Sequence, residues 1–190
     1  MKKKIITAGV DEVGRGCLAG PVVSAAVILK DGINLDLLKD SKKISFNKRR
    51  EISDHIKSHS HYAIGLASVE EILNLNILQA SLLSMKRAVE KLPVKPDLTL
   101  IDGNFAPSGL KNCKTIINGD EKIKVISAAS IIAKVYRDKL MIKLAEKFSN
   151  YSWEKNFGYG TKAHLDGLKK FGITSHHRKG FKPVHKILSN

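Results

Sequence analysis

The chain has 190 residues, of which 33 are Lys or Arg and 18 are Asp or Glu, giving a formal net charge of +15. With 43% hydrophobic residues and a mean hydropathy of -0.14 it has an ordinary globular composition, long enough to bury a core without disulfide or metal staples. The charge asks for an anionic partner, with nucleic acid first and a membrane surface second, and no run approaches the ~18 apolar residues of a membrane span.

Met1-Lys2-Lys3-Lys4 starts like a signal peptide, but the apolar stretch Ile5 to Val10 ends at once in Asp11-Glu12. Cys17 and Cys113 are too few and too far apart for a disulfide framework or a cysteine zinc site. These features predict a cytoplasmic, reduced protein. Nothing in the sequence calls for more than a monomer.

Taken in chain order, residues 3–10 and 22–29 read as strands, being short and rich in Ile, Val, Ala and Thr. The Gly-rich link between them is too short for a crossover helix, so an antiparallel pair is expected. Residues 45–58 form a helix with Ser45 as its cap, and 61–67 a third strand. Ser68-Val69-Glu70-Glu71 has the spacing of a capping box. From Asn76, apolar residues recur at Leu78, Leu82, Met85, Val89 and Leu92, one face of a helix that Pro93 helps to stop. Residues 97–101 are a fourth strand and 114–117 a candidate fifth. The longest helical stretch is 124–148, with Ile132, Tyr136, Leu140, Leu144 and Phe148 in steps of four. From 155 to 190 there are eight Lys or Arg and one acid, Asp166. The expectation is an α/β domain with a mixed sheet flanked by helices over 1–150, and a small basic C-terminal extension over 151–190 packed on it.

The chemistry concentrates in Gly9-Val10-Asp11-Glu12-Val13-Gly14-Arg15-Gly16. Two carboxylates stand where an apolar strand would continue, and alternation turns one of them toward the core. Taken alone, an Asp-Glu pair is more often a charged turn. Asp102, after Leu98 to Ile101, and Asp120, after Ile116 to Gly119, put acids at further ends of apolar segments in a protein otherwise short of acid. Strand ends of an α/β sheet converge on one edge. Carboxylates gathered there repel one another, and hard cations relieve the repulsion; oxygen-only ligation suits Mg²⁺ or Mn²⁺. An acidic cluster inside a basic protein matches metal-assisted phosphodiester chemistry.

Gly14 to Ala19 formally matches a dinucleotide fingerprint, but Pro21 and a strand follow where a helix is required, and Gly9 to Arg15 lacks the Lys and Ser/Thr of a phosphate loop. The glycines instead bare backbone amides to a nucleic-acid strand. Asp40-Ser41-Lys42-Lys43 is a phosphate contact or a solvated turn. Phe157 to Lys162 sets Tyr159 between glycines beside Thr161, suited to stacking on a sugar or base, and equally to a turn packed on the core. His55, His59 and His61 read as surface, and His176-His177-Arg178 as phosphate-facing surface. Ser127-Ala128-Ala129-Ser130 lets a helix lie close to the sheet.

These segments together resemble ribonuclease HII, the type 2 ribonuclease H. The matching pieces are Asp11 to Gly16, Asp40 to Lys43, Ile101-Asp102-Gly103, Gly119-Asp120, Ile126 to Asp138 and Gly158 to Thr161, in the family's order. The resemblance implies a ribonuclease H-like α/β fold with a helical C-terminal extension. It implies hydrolysis of the RNA strand of RNA–DNA hybrids and nicking of duplex DNA 5′ of a lone ribonucleotide, leaving 3′-hydroxyl and 5′-phosphate ends. It makes Asp11, Glu12, Asp102 and Asp120 the catalytic carboxylates binding two Mg²⁺ or Mn²⁺ ions. Gly14, Arg15 and Gly16 would contact the 2′-hydroxyl side of the ribonucleotide, Tyr159 would stack under the next sugar, and Lys43 and Thr161 would touch phosphate. Arg15, and a first strand at residue 3, favour this family over ribonuclease HIII. A sliding-clamp-binding tail is not expected after the basic segment.

Overall fold

A computed structural model describes residues 5–34, 36 and 45–189. Five strands form one sheet in the order β3-β2-β1-β4-β5: β1 Thr7–Val13, β2 Val22–Leu29, β3 Ser60–Ala67, β4 Leu98–Asp102 and β5 Cys113–Ile116. β1 pairs antiparallel with β2, and β2 with β3, while β4 and β5 run parallel to β1. The C-terminal ends of β1, β4 and β5 therefore share one sheet edge. The expected mixed sheet and the antiparallel first pair are both present.

β1 lies further along the chain than the apolar pattern predicts. It runs through the two acids, with Asp11 opposite Ala25 and Glu12 opposite Ser24. Ladder hydrogen bonds to β2 outweigh the poor strand preference of the acids. Alternation does what it must: Asp11 is 6% exposed, Glu12 only half-buried.

Helices cover both faces of the sheet. On one face lie α1 (Phe46–Ser58) and α5 (Lys124–Lys147), whose Ile52, Ile56, Ala128, Ala129 and Ile132 bury against Ala25 and Val27. On the other, α3 (Ile77–Glu90) sets Met85 and Ala88 against Val10, Ala26 and Ile101. The caps at Ser45 and Ser68 are as the sequence predicts. Ser45 accepts from Lys48 N at 3.3 Å. Ser68 and Glu71 close a capping box at the start of α2 (Val69–Leu75). Asn76, at φ 70°, caps α3 by accepting from Leu78 and Gln79.

Two glycines set the helix-to-sheet distance. A Cβ on Gly9 would stand 2.3 Å from the carbonyl carbon of Val125, and one on Gly65 2.0 Å from the oxygen of Ser84. No side chain fits either gap, so α5 and α3 lie directly on strand backbone. Gly9→Ala should destabilise the fold by about 3 kcal/mol, read as a fall in the urea midpoint. A midpoint unchanged from the parent would show that α5 does not press on β1.

α5 is buried nearly all round, wedged between sheet, α1 and the C-terminal segment, and this exceeds the single stripe its sequence suggests: Tyr136 in that stripe is exposed, whereas Arg137 and Asp138 are buried. After α4 (Gly119–Lys122) and α5 come a 3-10 turn at Ser149–Tyr151, then α6 (Trp153–Asn156), α7 (Lys162–Phe171) and α8 (Lys182–Leu188). Tyr151, Trp153, Leu168 and Val184 form one core with Met141 and Ala145 of α5 and with Leu18 and Ala19. The C-terminal helices thus rest on the loop that follows β1. Among the described residues, no helix is long and apolar enough to cross a membrane.

Candidate active site

The shared sheet edge carries the acids. Asp11 and Glu12 end β1, Asp102 ends β4, and Asp120 stands in the first turn of α4 just beyond β5. The Asp102 carboxylate accepts from Gly119 N at 2.6 Å, which joins the end of β4 to the residue before Asp120. Asn118 makes that turn in the left-handed region, φ 54°.

Asp11 is the most enclosed of the four. Its Oδ1 accepts from Glu12 N at 2.7 Å, and Ser130 of α5 donates to the same carboxylate. Burial, then the charge of Glu12 and that of Asp102, push its carboxyl well above the usual range. Burial raises Glu12 too, Arg15 opposes the rise, and Asp102 adds to it. Arg15 Nη1 lies 3.5 Å from Glu12 Oε1. Three carboxylates on neighbouring strand ends therefore act on one another in a site that penalises negative charge.

Among the described residues, no group of three or more acidic, histidine or cysteine side chains is drawn together as a formed metal cage. Asp11 accepts from Glu12 N and Ser130, Glu12 lies toward Arg15, and Asp102 accepts from Gly119 N. The donor set is nevertheless oxygen-only, and its mutual repulsion is what a hard divalent cation removes. The residues suit Mg²⁺ or Mn²⁺.

Beside the acids opens a cleft of about 310 Å³ lined by Glu12, Arg49, Ser130, Lys134 and Tyr159. Lys134 Nζ lies 2.9 Å from Asp138 and 4.8 Å from the centre of the Phe157 ring, with Tyr159 at 5.8 Å. A buried carboxylate thus aims this cation along the cleft wall. Tyr159 is 40% exposed. The loop after β1 flanks the other side. Gly14 is held at φ +96° over Arg137, where a Cβ would meet Nε at 2.2 Å, whereas a Cβ on Gly16 would meet nothing within 4 Å. Gly14 is glycine because of the protein; the space above Gly16 is open to a ligand backbone. Arg15 and Gly16 are exposed.

Of the other sequence candidates, Thr161 caps α7, accepting from His164 N at 3.4 Å. Asp40, Ser41, Lys42 and Lys43 lie outside the described residues. The expected phosphate-facing surface at His176-His177-Arg178 needs correction: His177 and Arg178 are each 1% exposed. Residues 176–178 run beside 18–20, with Gly20 N donating to His176 O at 2.9 Å and Arg178 N to Leu18 O at 2.8 Å. Their side chains point inward, Arg178 Nη1 reaching Arg15 O at 2.9 Å. Sequence reasoning also missed Ser130, Lys134 and Arg49. For Lys134 a signal existed, since it is a cation inside the apolar run Ile131 to Val135.

A five-stranded mixed sheet with acids on the ends of parallel strands, beside a cationic cleft, defines a nuclease of the ribonuclease H class. Residues 8–185 match the model of the ribonuclease HII family. The chain is 58% identical over 185 residues to ribonuclease HII of Pelagibacter ubique (strain HTCC1062), covering 96% of this chain and 99% of that one. Its fold matches the crystal structure of ribonuclease H2 from Pyrococcus horikoshii OT3, with TM-score 0.80 and 27% identity over 96% of this chain and 97% of that one. It also matches ribonuclease HII from Archaeoglobus fulgidus, a protein solved in complex with PCNA, with TM-score 0.73 and 27% identity over 94% of this chain and 96% of that one. The chain belongs to the ribonuclease HII family.

Proposed function

We propose that this ribonuclease hydrolyses the RNA strand of RNA–DNA hybrids and nicks duplex DNA 5′ of a single embedded ribonucleotide. The observation that carries the reading is the buried Asp11, in electrostatic reach of Glu12 and Asp102 and between an open glycine loop and a cationic cleft. Asp11, Glu12, Asp102 and Asp120 would hold the divalent ions. Mg²⁺ or Mn²⁺ bound there supplies an activated water and charge stabilisation at the leaving 3′-oxygen.

The rest is the work of side chains and backbone. Ser130 holds the Asp11 carboxylate in a fixed orientation. Gly14, Arg15 and Gly16 present backbone to the ribose 2′-hydroxyl, with Gly16 leaving the room for close approach. Tyr159 stacks under the sugar of the next nucleotide and registers the RNA-to-DNA junction. Lys134 and Arg49 line its path, and Thr161 and Lys43 contact phosphate. Residues 1–150 form the catalytic body, and 151–190 a basic extension that brings Tyr159 to it. The 2′-hydroxyl is recognised and is not the nucleophile, so the products end in 3′-hydroxyl and 5′-phosphate.

The test is a DNA duplex with one ribonucleotide, incubated with and without Mg²⁺. Nicking on the 5′ side of the ribonucleotide, abolished by EDTA and absent from an all-DNA duplex, is expected. Products ending in 2′,3′-cyclic phosphate, or equal cutting of the all-DNA control, would overturn the reading.

A further inference from the structure

Two buried imidazoles take no part in the chemistry above. We propose that His164 and His177 together are positioning residues for Tyr159, holding its backbone carbonyl through a relay of neutral imidazole hydrogen bonds. The proposal rests on the reading that Tyr159 meets the substrate.

The proton positions follow from the partners. Thr174 N donates to His177 Nδ1 at 2.9 Å, and Trp153 Nε1 donates to His164 Nε2 at 3.1 Å. Backbone N–H and indole N–H only donate, so these two ring nitrogens carry lone pairs. A neutral imidazole has one N–H. His177 therefore carries it on Nε2, and His164 on Nδ1. Each then faces an acceptor: His177 Nε2 donates to His164 Nε2 at 3.0 Å, sharing that nitrogen's one lone pair with Trp153 Nε1 in a three-centre bond, and His164 Nδ1 donates to the carbonyl of Tyr159 at 2.9 Å. The relay runs from the loop after α7 to the residue in the cleft.

Its two ends belong to different parts of the substrate surface. His177 is bridged to Ala19, and its neighbours 176 and 178 are hydrogen-bonded to Gly20 and Leu18. Arg178 continues to the carbonyl of Arg15. The relay thus ties the glycine loop to Tyr159, and so sets the distance between the group that reads the ribose and the group that reads the next sugar.

A second proton on either ring would set donor against donor, at Trp153 for His164 and at Thr174 N for His177. The rings are 0% and 1% exposed. Other titratable groups facing them are Tyr151, edge-on from the turn before α6, and His176 from the loop after α7. Burial, then His164 and His176, hold His177 down at about 4, and burial lowers His164. These depressed values mean the relay's stabilisation is complete above pH 6.5 and is lost as pH falls toward 4.

Two measurements test the relay. In the full chain labelled with ¹⁵N-histidine, His164 should show the Nδ1–H tautomer and His177 the Nε2–H tautomer, with neither titrating near pH 6.5. The opposite tautomers, or ordinary titration, would overturn the relay whatever the activity. In the second, kcat and KM are measured on a duplex with one ribonucleotide and on an all-RNA hybrid. His164→Phe removes the donor to Tyr159, and the kcat/KM ratio between the two substrates should fall about tenfold. His164→Asn, which keeps a donor near the Nδ1 position, should recover most of it. Tyr159→Ala serves as reference. If it leaves the ratio unchanged, the substrate reading of Tyr159 fails and the proposal with it. If it lowers the ratio while folded His164→Phe does not, the relay alone is refuted.

Discussion

Asp11→Asn is expected to lower turnover on a ribonucleotide-containing duplex by about 10³-fold, corresponding to about 4 kcal/mol of transition-state stabilisation. Binding of the duplex should survive, because the basic surface and the glycine loop are untouched. The same substitution should raise the melting temperature of the metal-free protein at pH 7. Asp11 is buried beside Glu12 and Asp102, and all three effects raise its carboxyl. A raised carboxyl means that the ionised form works against folding, so the penalty is present at neutral pH and fades as pH falls through the folded-state value. Asparagine retains a carbonyl oxygen for Glu12 N and removes the charge. Steady-state kinetics, anisotropy of a labelled duplex and calorimetry in EDTA measure the three quantities. A variant within tenfold of the parent rate would remove Asp11 from the reaction, and a less stable variant would contradict the electrostatic account.

The second large effect falls on stability. Arg137 is fully buried on α5 and donates to three backbone carbonyls: Pro21 from Nε at 3.0 Å, Phe157 from Nη1 at 2.7 Å and Ala19 from Nη2 at 2.9 Å. One guanidinium thus joins the long helix to the loop after β1 and to the turn before Tyr159. Arg137→Met fills most of the volume but strands the three acceptors, each worth about 1–3 kcal/mol. A loss of about 4 kcal/mol or more in unfolding free energy is expected, with activity falling in step because the loop after β1 and the turn before Tyr159 lose their anchor. Arg137→Lys should restore only a small part, as an ammonium cannot fork toward three carbonyls. Denaturant unfolding of both variants checks this. A methionine variant within about 1 kcal/mol of the parent would show that the carbonyls find water or other donors.

Arg137 also shows where sequence reading stops. Its apolar neighbours announce a helix, and the caps at Ser45 and Ser68 are visible just ahead of the helices they start. The strands are visible as short β-branched runs, and parallel order follows once helices separate them. The acids at Asp11 and Asp102 stand out because charge at a strand end is anomalous. What was not legible depends on partners far along the chain. Arg137 reads as one more surface cation until the loops at 19–21 and 157 close over it. Ser130 reads as a small residue until Gly9 lets α5 down onto β1 and brings its hydroxyl to Asp11. His177 and Arg178 look like exposed phosphate ligands in a basic segment, yet their backbone pairing with residues 18–20 turns them inward. Local composition predicts a basic surface there; the ladder contact decides which side chains form it.

The central claim is that the strand-end acids bind divalent ions against a scissile phosphate. The most direct measurement is anomalous diffraction at the manganese edge from crystals of Asp11→Asn and of the parent, each grown with an uncleavable ribonucleotide duplex and Mn²⁺. The account predicts manganese peaks at the parent's Asp11 and Asp102 carboxylates, on the oxygens of the ribonucleotide's 5′ phosphate, and their loss or weakening in the variant. Manganese seated elsewhere, or a phosphate held only by cationic side chains with no metal at Asp11, would contradict it.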